Sequence, residues 1–233
     1  MCIRDRHGAV QHQDLSIKGL RIAAFDWDNT LAYSRDALVF AINKILPQYN
    51  LPEWDIVKSK RNRNLSFRDN FPLIFGDKAE EAYEKYRLIY KENVKNLISA
   101  PDKAREVLRF LKKHGVKIAI VSNKDRLLFE FERPFLYAEN LFDVIVCGHE
   151  AKQDKPNGEQ LKFAVCNLID KITPETVWMI GDSPMDSECA LSANAKAIRI
   201  GQPIWGTADD ECGQNITFIK DFSAFYRILT EQN

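Results

Sequence analysis

Four aspartates stand in two short pairs, Asp26 and Asp28 in the run FDWDNTL and Asp182 and Asp186 in GDSPMD. Asp26 and Asp28 lie two residues apart, so in extended backbone both side chains share one face and Trp27 is directed to the other. Asp186 follows Asp182 by about one helical turn, with Pro184 suited to the first turn of a helix, so this pair can also face a single crevice. Carboxylates gathered in this way repel one another unless a cation or a proton sits among them. Three kinds of chemistry are open to them: ligation of a hard metal ion, for which Mg²⁺ is the natural occupant, acid–base catalysis, and nucleophilic attack by one carboxylate. For either pair alone the plainer alternative is a helix cap or a turn.

Two further segments could complete such a site. Ser122 and Asn123, in IVSNK, offer a hydroxyl and turn amides that could hold a phosphate oxygen. Asp154-Lys155-Pro156 supplies one cation, although a lone lysine on a loop is usually solvated.

These residues need a frame that brings them together. Short apolar runs at 21–25, 116–121, 143–147, 176–180, 197–200 and 216–219 read as strands, each followed by a polar or glycine-containing turn. Between them, 101–114, 159–169 and 184–193 have helical period; Ala104, Val107, Leu108 and Leu111 share one face, Pro101 suits the first turn and Gly115 the left-handed stop. Strands alternating with helices predict a doubly wound, Rossmann-like α/β domain with a parallel sheet and right-handed crossovers. Ligands of such sheets bind beyond the carboxyl ends of the strands, and the residues there are Asp26, Ser122, Gly148 and Asp182. The alternation is interrupted after the first strand. Residues 34–98 hold amphipathic helices, at 36–46 and 78–97, and read as an inserted α-helical cap. The predicted organisation is a tail at 1–19, a catalytic core made of 20–33 and 99–233, and the cap at 34–98. Residues 1–6, MCIRDR, resemble a translated sequencing adapter and carry no part of the predicted fold.

The chain of 233 residues carries 33 Lys+Arg and 33 Asp+Glu, so no global field favours nucleic acid or an anionic membrane, and any charge-driven function is local. The five cysteines contain no C-x-x-C pair, which argues against a disulfide framework or a thiolate zinc site. His7, His12, His114 and His149 lack metal-ligand spacing. No apolar run is long enough to span a bilayer and no signal-like stretch opens the chain, so a cytoplasmic location is expected.

Taken together, FDWDNTL, IVSN, DKP and GDSPMD resemble, in order and in spacing, the four motifs of the haloacid dehalogenase superfamily, in particular its phosphoglycolate phosphatase-like phosphatases. The resemblance runs from about Arg21 to Ile219, and the gap between Asp26 and Ser122 leaves room for a helical cap. It implies that Asp26 is the nucleophile that becomes an aspartyl-phosphate, and that Asp28 donates a proton to the leaving alcohol and later takes one from water. It implies a Mg²⁺ held by Asp26, the Asp28 carbonyl, Asp182 and Asp186, phosphoryl oxygens held by Ser122 and the Asn123 amide, and Lys155 bridging Asp26 and the phosphate. Members that cleave carbon–halogen or carbon–phosphorus bonds lack an acid two residues after the nucleophile. The presence of Asp28 therefore favours phosphate esters.

The expected partner is a small phosphorylated metabolite, with neither nucleic acid, membrane nor an obligate protein partner. The basic run Lys58-Ser59-Lys60-Arg61-Asn62-Arg63, with Arg68 nearby, is either a solvated face or a source of substrate contacts, Arg63 or Arg68 meeting the substrate's anionic end. Phe67, Phe71, Leu73, Ile74 and Phe75 are expected to form cap core or to pack against the catalytic domain rather than to line a substrate pocket, and Asn194 to stop the helix after the fourth motif in the left-handed region. A sugar phosphomutase on the same fold and a catalytically silent binding module are the rival readings.

Overall fold

Six short strands supply the frame: β1 (Ile22–Phe25), β2 (Lys117–Val121), β3 (Val144–Val146), β4 (Val177–Gly181), β5 (Lys196–Ile200) and β6 (Ile216–Ile219). In this computed structural model, which describes residues 15–54, 65–201 and 215–232, they form one parallel sheet in the order β3-β2-β1-β4-β5-β6. All six coincide with the predicted runs to within a residue or two. Alternate residues feed two separate cores. Ala23, Phe25, Ile118, Ile120, Trp178 and Ile180 pack on one face, while Ile22, Ala24, Ala119, Val121, Val177 and Met179 pack on the other. A sheet buried on both faces needs helices on both.

The first face is covered by α4 (Ala104–Lys113), by α5 (Arg126–Leu136) through Phe129 and Leu136, and by α8 (Phe222–Gln232); the second by α6 (Glu159–Val165) and α7 (Pro184–Ser192). Helix α4 buries Ala104, Val107, Leu108 and Leu111 as their spacing predicts, and Gly115 ends it at φ 78°. Pro101, however, lies outside its first turn: Lys103 sits at φ 65° in the left-handed region, and the helix can begin only after it. Helix α6 ends four residues before the predicted 169, in turns where Leu168 and Ile169 donate to the Val165 carbonyl. Asn194 adopts φ 62°, the expected left-handed stop.

Two helices were not legible in the chain. In α5, Leu127, Phe131 and Phe135 are exposed while Leu128, Phe129 and Leu136 are buried, so apolar residues run round the cylinder and blur its period. Asp125, whose side chain accepts from the Leu127 and Leu128 amides, was the available start signal. Helix α8 was passed over beyond the last strand, although Phe222, Phe225, Ile228 and Leu229 share one face.

Between β1 and α4 the chain departs from the sheet. Helices α1 (Arg35–Ile45), α2 (Phe71–Phe75) and α3 (Ala79–Leu97) enclose a third apolar cluster, in which Ala82, Tyr86, Tyr90 and Val94 recur every fourth residue. The excursion leaves and returns through a single antiparallel bridge, Tyr33 to Ser99, with the Tyr33 amide donating to the Ser99 carbonyl at 2.8 Å. Phe71 and Phe75 are buried there, but Leu73 is exposed because it falls on the outer side of the one-turn α2. Residues 1–6 and the basic run 58–63, Arg63 included, lie outside the described residues.

Phe225 is completely buried in the first core. Phe225→Ala is expected to cost about 3–5 kcal/mol in urea unfolding, against under about 1 kcal/mol for Phe218→Ala at a half-exposed position of β6.

Candidate active site

The strand order reverses between β1 and β4, where the crossovers to either side leave a crevice at the carboxyl edge. Asp26 leaves β1 with its amide bonded to the Ile180 carbonyl of β4, and Asp182 follows Gly181 at the end of β4. Asp26, Asp28, Ser122, Asn123, Lys155, Asp182 and Arg68 line one crevice of about 180 Å³. Seven of the sequence-predicted residues, far apart in the chain, thus meet at one place.

Asp186 joins them from α7. Its Oδ2 accepts from the Ser183 amide and hydroxyl at 2.9 and 2.7 Å, which caps the helix, while its Oδ1 accepts from Lys155 Nζ at 2.6 Å. The capping and the site-forming readings of this residue are therefore both realised. Gly181 makes this possible, since a Cβ there would lie 2.2 Å from Asp186 Cγ. Lys155 Nζ also donates to Asp26 Oδ1 at 2.7 Å. The lysine is held by its own backbone: Asn123 Oδ1 accepts from its amide and Asn123 Nδ2 donates to its carbonyl. Buried Gln160 donates to the Ser122 and Cys147 carbonyls, tying two strand ends to the same loop. The sequence reading assigned Asn123 only a backbone role and passed over Gln160, whose partners are main-chain atoms that no side-chain motif marks.

One carboxylate oxygen each from Asp26, Asp182 and Asp186 lies within 4.8 Å of the others, and all three residues are buried. Burial pushes the Asp26 carboxyl up to about 6 against the pull of Lys155, and burial together with the charges of Asp186 and Asp26 holds Asp182 well above the usual carboxylate range. Burial would lower Lys155, but Asp186 and Asp26 outweigh it and keep its ammonium charged. Three hard-oxygen carboxylates against one lysine is a donor set with negative charge to spare, which fits a divalent Mg²⁺.

The Asp28 carboxylate stands apart from that cluster. Its Oδ1 accepts from Ser34 Oγ and, at 2.8 Å, from Lys124 Nζ. Lys124, whose side chain is buried, also pairs with Glu132 Oε1 at 2.8 Å. Both are functional candidates whose partners come from separate segments, so spacing gave no signal. Trp27 is directed away from the acids, as its parity requires, into an aromatic group with Phe129, Tyr137 and Phe142.

The far wall of the crevice comes from the excursion: Arg35, Leu38, Phe67, Arg68, Tyr83 and Tyr86. Phe67 packs on Trp54, Phe71 and Tyr86, yet it borders the crevice, so its assignment to packing alone is corrected. Arg68 Nη2 is buried with no hydrogen-bond acceptor, 3.6 Å from Asp154 Oδ2. Gly148 gives it room, since a Cβ there would lie 3.0 Å from that nitrogen. Nearby, His149 Nε2 lies 3.2 Å from Asp69 Oδ1, and with Asp154 they form a second group that sequence spacing did not reveal. Among the described residues no helix is long and apolar enough to cross a membrane.

Comparison with known proteins agrees with this arrangement. The family model described as haloacid dehalogenase-like hydrolase matches residues 23–200. Pyrophosphatase PpaX of Bacillus cereus is 27% identical over 214 residues, 90% of this chain and 96% of that protein. Among solved structures, one from Haemophilus somnus described as a predicted phosphoglycolate phosphatase superposes with a TM-score of 0.76 at 20% identity, covering 92% of this chain and 99% of that one. A candidate beta-phosphoglucomutase from Thermotoga maritima gives 0.71 at 22% identity, covering 91% and 99%. At these identities the structures show the shared fold.

A raised carboxyl pKa makes a testable mark on stability. Below about pH 4 Asp26 is protonated in both the folded and unfolded chain; between 3.8 and about 6 only the folded chain keeps the proton; above that the buried charge is a cost of folding. Asp26→Asn removes this cost. The stability of the variant relative to wild type is expected to grow from about pH 4 to about pH 6 in thermal melts with chelator present, and a difference that shrinks over that window would contradict the assignment.

Proposed function

The chain belongs to the haloacid dehalogenase-like hydrolase family and is a hydrolase of phosphoric monoesters, and we propose that it acts with Mg²⁺ on a small phosphorylated metabolite through an aspartyl-phosphate on Asp26. The observation that carries this reading is the meeting of Asp26, Asp28, Ser122, Lys155 and Asp182 in one crevice, with Asp186 bonded to the same lysine. Mg²⁺ held by Asp26, the Asp28 carbonyl, Asp182 and Asp186 would supply charge neutralisation between an anionic nucleophile and an anionic ester.

The chain's own residues account for the remaining steps. A carboxylate oxygen of Asp26 attacks phosphorus, the bond from phosphorus to the leaving oxygen breaks, and Asp28 gives that oxygen its proton. Water then loses a proton to Asp28 and attacks phosphorus, the bond to Asp26 breaks, and inorganic phosphate leaves with both aspartates restored. Ser122 and the Asn123 amide hold phosphoryl oxygens, and Lys155 offsets charge that builds on them. Arg68 presents an unpaired donor to the rest of the substrate, which favours a second anionic group in a ligand small enough for the crevice. Phosphoglycolate has that form. So does pyrophosphate, the substrate named by the PpaX relatives, and Arg35 on the same wall suits either. The reading places the enzyme in the cytoplasm.

Asp26→Asn is expected to abolish release of inorganic phosphate from para-nitrophenyl phosphate with the melting transition preserved; retained turnover would sink the mechanism. Arg68→Ala is expected to raise KM for phosphoglycolate or pyrophosphate about tenfold or more while changing KM for para-nitrophenyl phosphate little, since the aryl ester has no second anion. Isomerisation of a hexose phosphate without phosphate release would instead favour the mutase reading.

A further inference from the structure

Glu132 is completely buried on α5, at a position flanked by the buried Leu128, Phe129 and Leu136. An apolar side chain would fill the site at less cost, because desolvating a carboxylate takes several kcal/mol that only well-placed partners return. Its partners are specific. Oε2 accepts from Trp27 Nε1 at 2.8 Å, and Oε1 lies 2.8 Å from Lys124 Nζ as an ion pair without hydrogen-bond geometry. Trp27 is the residue between Asp26 and Asp28, and Lys124 grips Asp28 Oδ1. Glu132 therefore closes a ring that runs from the Trp27 indole through Glu132, Lys124 and Asp28 back to the main chain at Trp27.

We propose that Glu132 is a positioning residue for Asp28. The proposal rests on the reading of Asp28 as the proton donor to the leaving group. With Glu132 in place the Lys124 ammonium stands between two carboxylates, further fixed by Tyr90, whose hydroxyl lies 3.3 Å away. It cannot follow Asp28 or swing toward a bound phosphate without leaving Glu132 unpaired in the core. The two hydrogen bonds to the Asp28 carboxylate, from Lys124 and Ser34, both fall on Oδ1, so Oδ2 is the oxygen left for the leaving group. Lys155 has its own pair of carboxylates in Asp26 and Asp186. The two lysines are thereby kept to separate duties, one beside the attacking oxygen and the other beside the proton donor.

Leaving-group dependence separates this role from a merely structural ion pair. Glu132→Gln keeps an acceptor for Trp27 and removes the charge opposite Lys124. With an alkyl phosphate, whose alkoxide must be protonated as it departs, kcat/KM, which runs only through leaving-group departure and so excludes the later water step, is expected to fall about 30-fold. With dinitrophenyl phosphate, whose phenolate needs no proton, the loss in kcat/KM is expected to be about threefold. Trp27→Phe keeps an aromatic ring while removing the indole donor and the five-membered half of the bicycle, and should show the same selectivity at smaller amplitude; it carries the test if Glu132→Gln lacks a cooperative melt. Equal losses on both esters, or no loss, would overturn the role of Glu132. A wild-type protein that hydrolyses neither ester would overturn the phosphatase reading and this inference with it.

Discussion

Lys155 is buried between Asp26 and Asp186, at 2.7 and 2.6 Å, where an unpaired ammonium would be several kcal/mol less stable than in water. Much of the surrounding structure serves to keep it there. Asn123 clasps its backbone from the end of β2, Gln160 ties that loop to two strand ends, and Gly181 leaves the room for Asp186 to reach across from the first turn of α7. Removing both carboxylate partners would leave an uncompensated buried cation, an error worth about 3–5 kcal/mol in comparable settings. The parallel sheet is what allows this economy. Its carboxyl edge brings four segments, separated by whole βα units, to within hydrogen-bond reach without long loops.

The same edge holds more negative charge than Lys155, Lys124 and Arg199, whose guanidinium donates to the Asp182 carbonyl, can offset, and the proposed chemistry draws on that imbalance. Burial raises Asp26 and Asp182, so the cluster is poised to accept a cation more readily than it would in water. Opposite it, Arg68 brings a guanidinium to the wall of a crevice of about 180 Å³, its Nε bonded to Asp69 and its Nη2 3.6 Å from Asp154. On the proposed reading a ligand carrying anionic groups at both ends would meet a divalent cation at one and that guanidinium at the other. Phe67, Tyr83 and Tyr86 line the same wall.

Much of the catalytic edge was legible in the chain because the motifs are local. A strand ending in an acid, followed by a second acid two residues on in FDWDNTL or about one helical turn on in GDSPMD, sets its geometry through a local period. The strands were legible for a related reason, since burial on both faces leaves continuous β-branched runs. What was not legible depends on long-range pairing. Glu132 reads as one more acid in RLLFEFERPFL until α5 is docked, at which point it is the partner of a tryptophan and a lysine from two other segments. Phe67 looked like core because an aromatic beside Phe71 usually is, and only the packed excursion shows its edge bordering the crevice. Arg68 could be listed with Arg63 from charge alone, but the freedom of its Nη2 depends on Gly148 across the crevice, a contact without any sequence period.

Asp28 occupies the place where the two halves of the molecule are joined. The extended backbone of β1 ends just before it, Asn29 turns in the left-handed region at φ 61°, and by Ser34 the chain has crossed the Tyr33–Ser99 bridge into the helical excursion. Its carboxylate is accordingly bonded from both sides, by Ser34 at the start of the excursion and by Lys124 from the core, while Tyr90 of α3 touches that same lysine. A displacement of α1 and α3 relative to the sheet must therefore be felt at the Asp28 oxygens, whereas Asp26, anchored by strand pairing to Ile180 and by Lys155, is insulated from it. On the proposed mechanism the attacking group would belong to the sheet and the proton donor to its seam with the excursion, so the geometry that completes the site would be sensitive to the same helices that supply Arg35, Tyr83 and Tyr86 to the crevice wall.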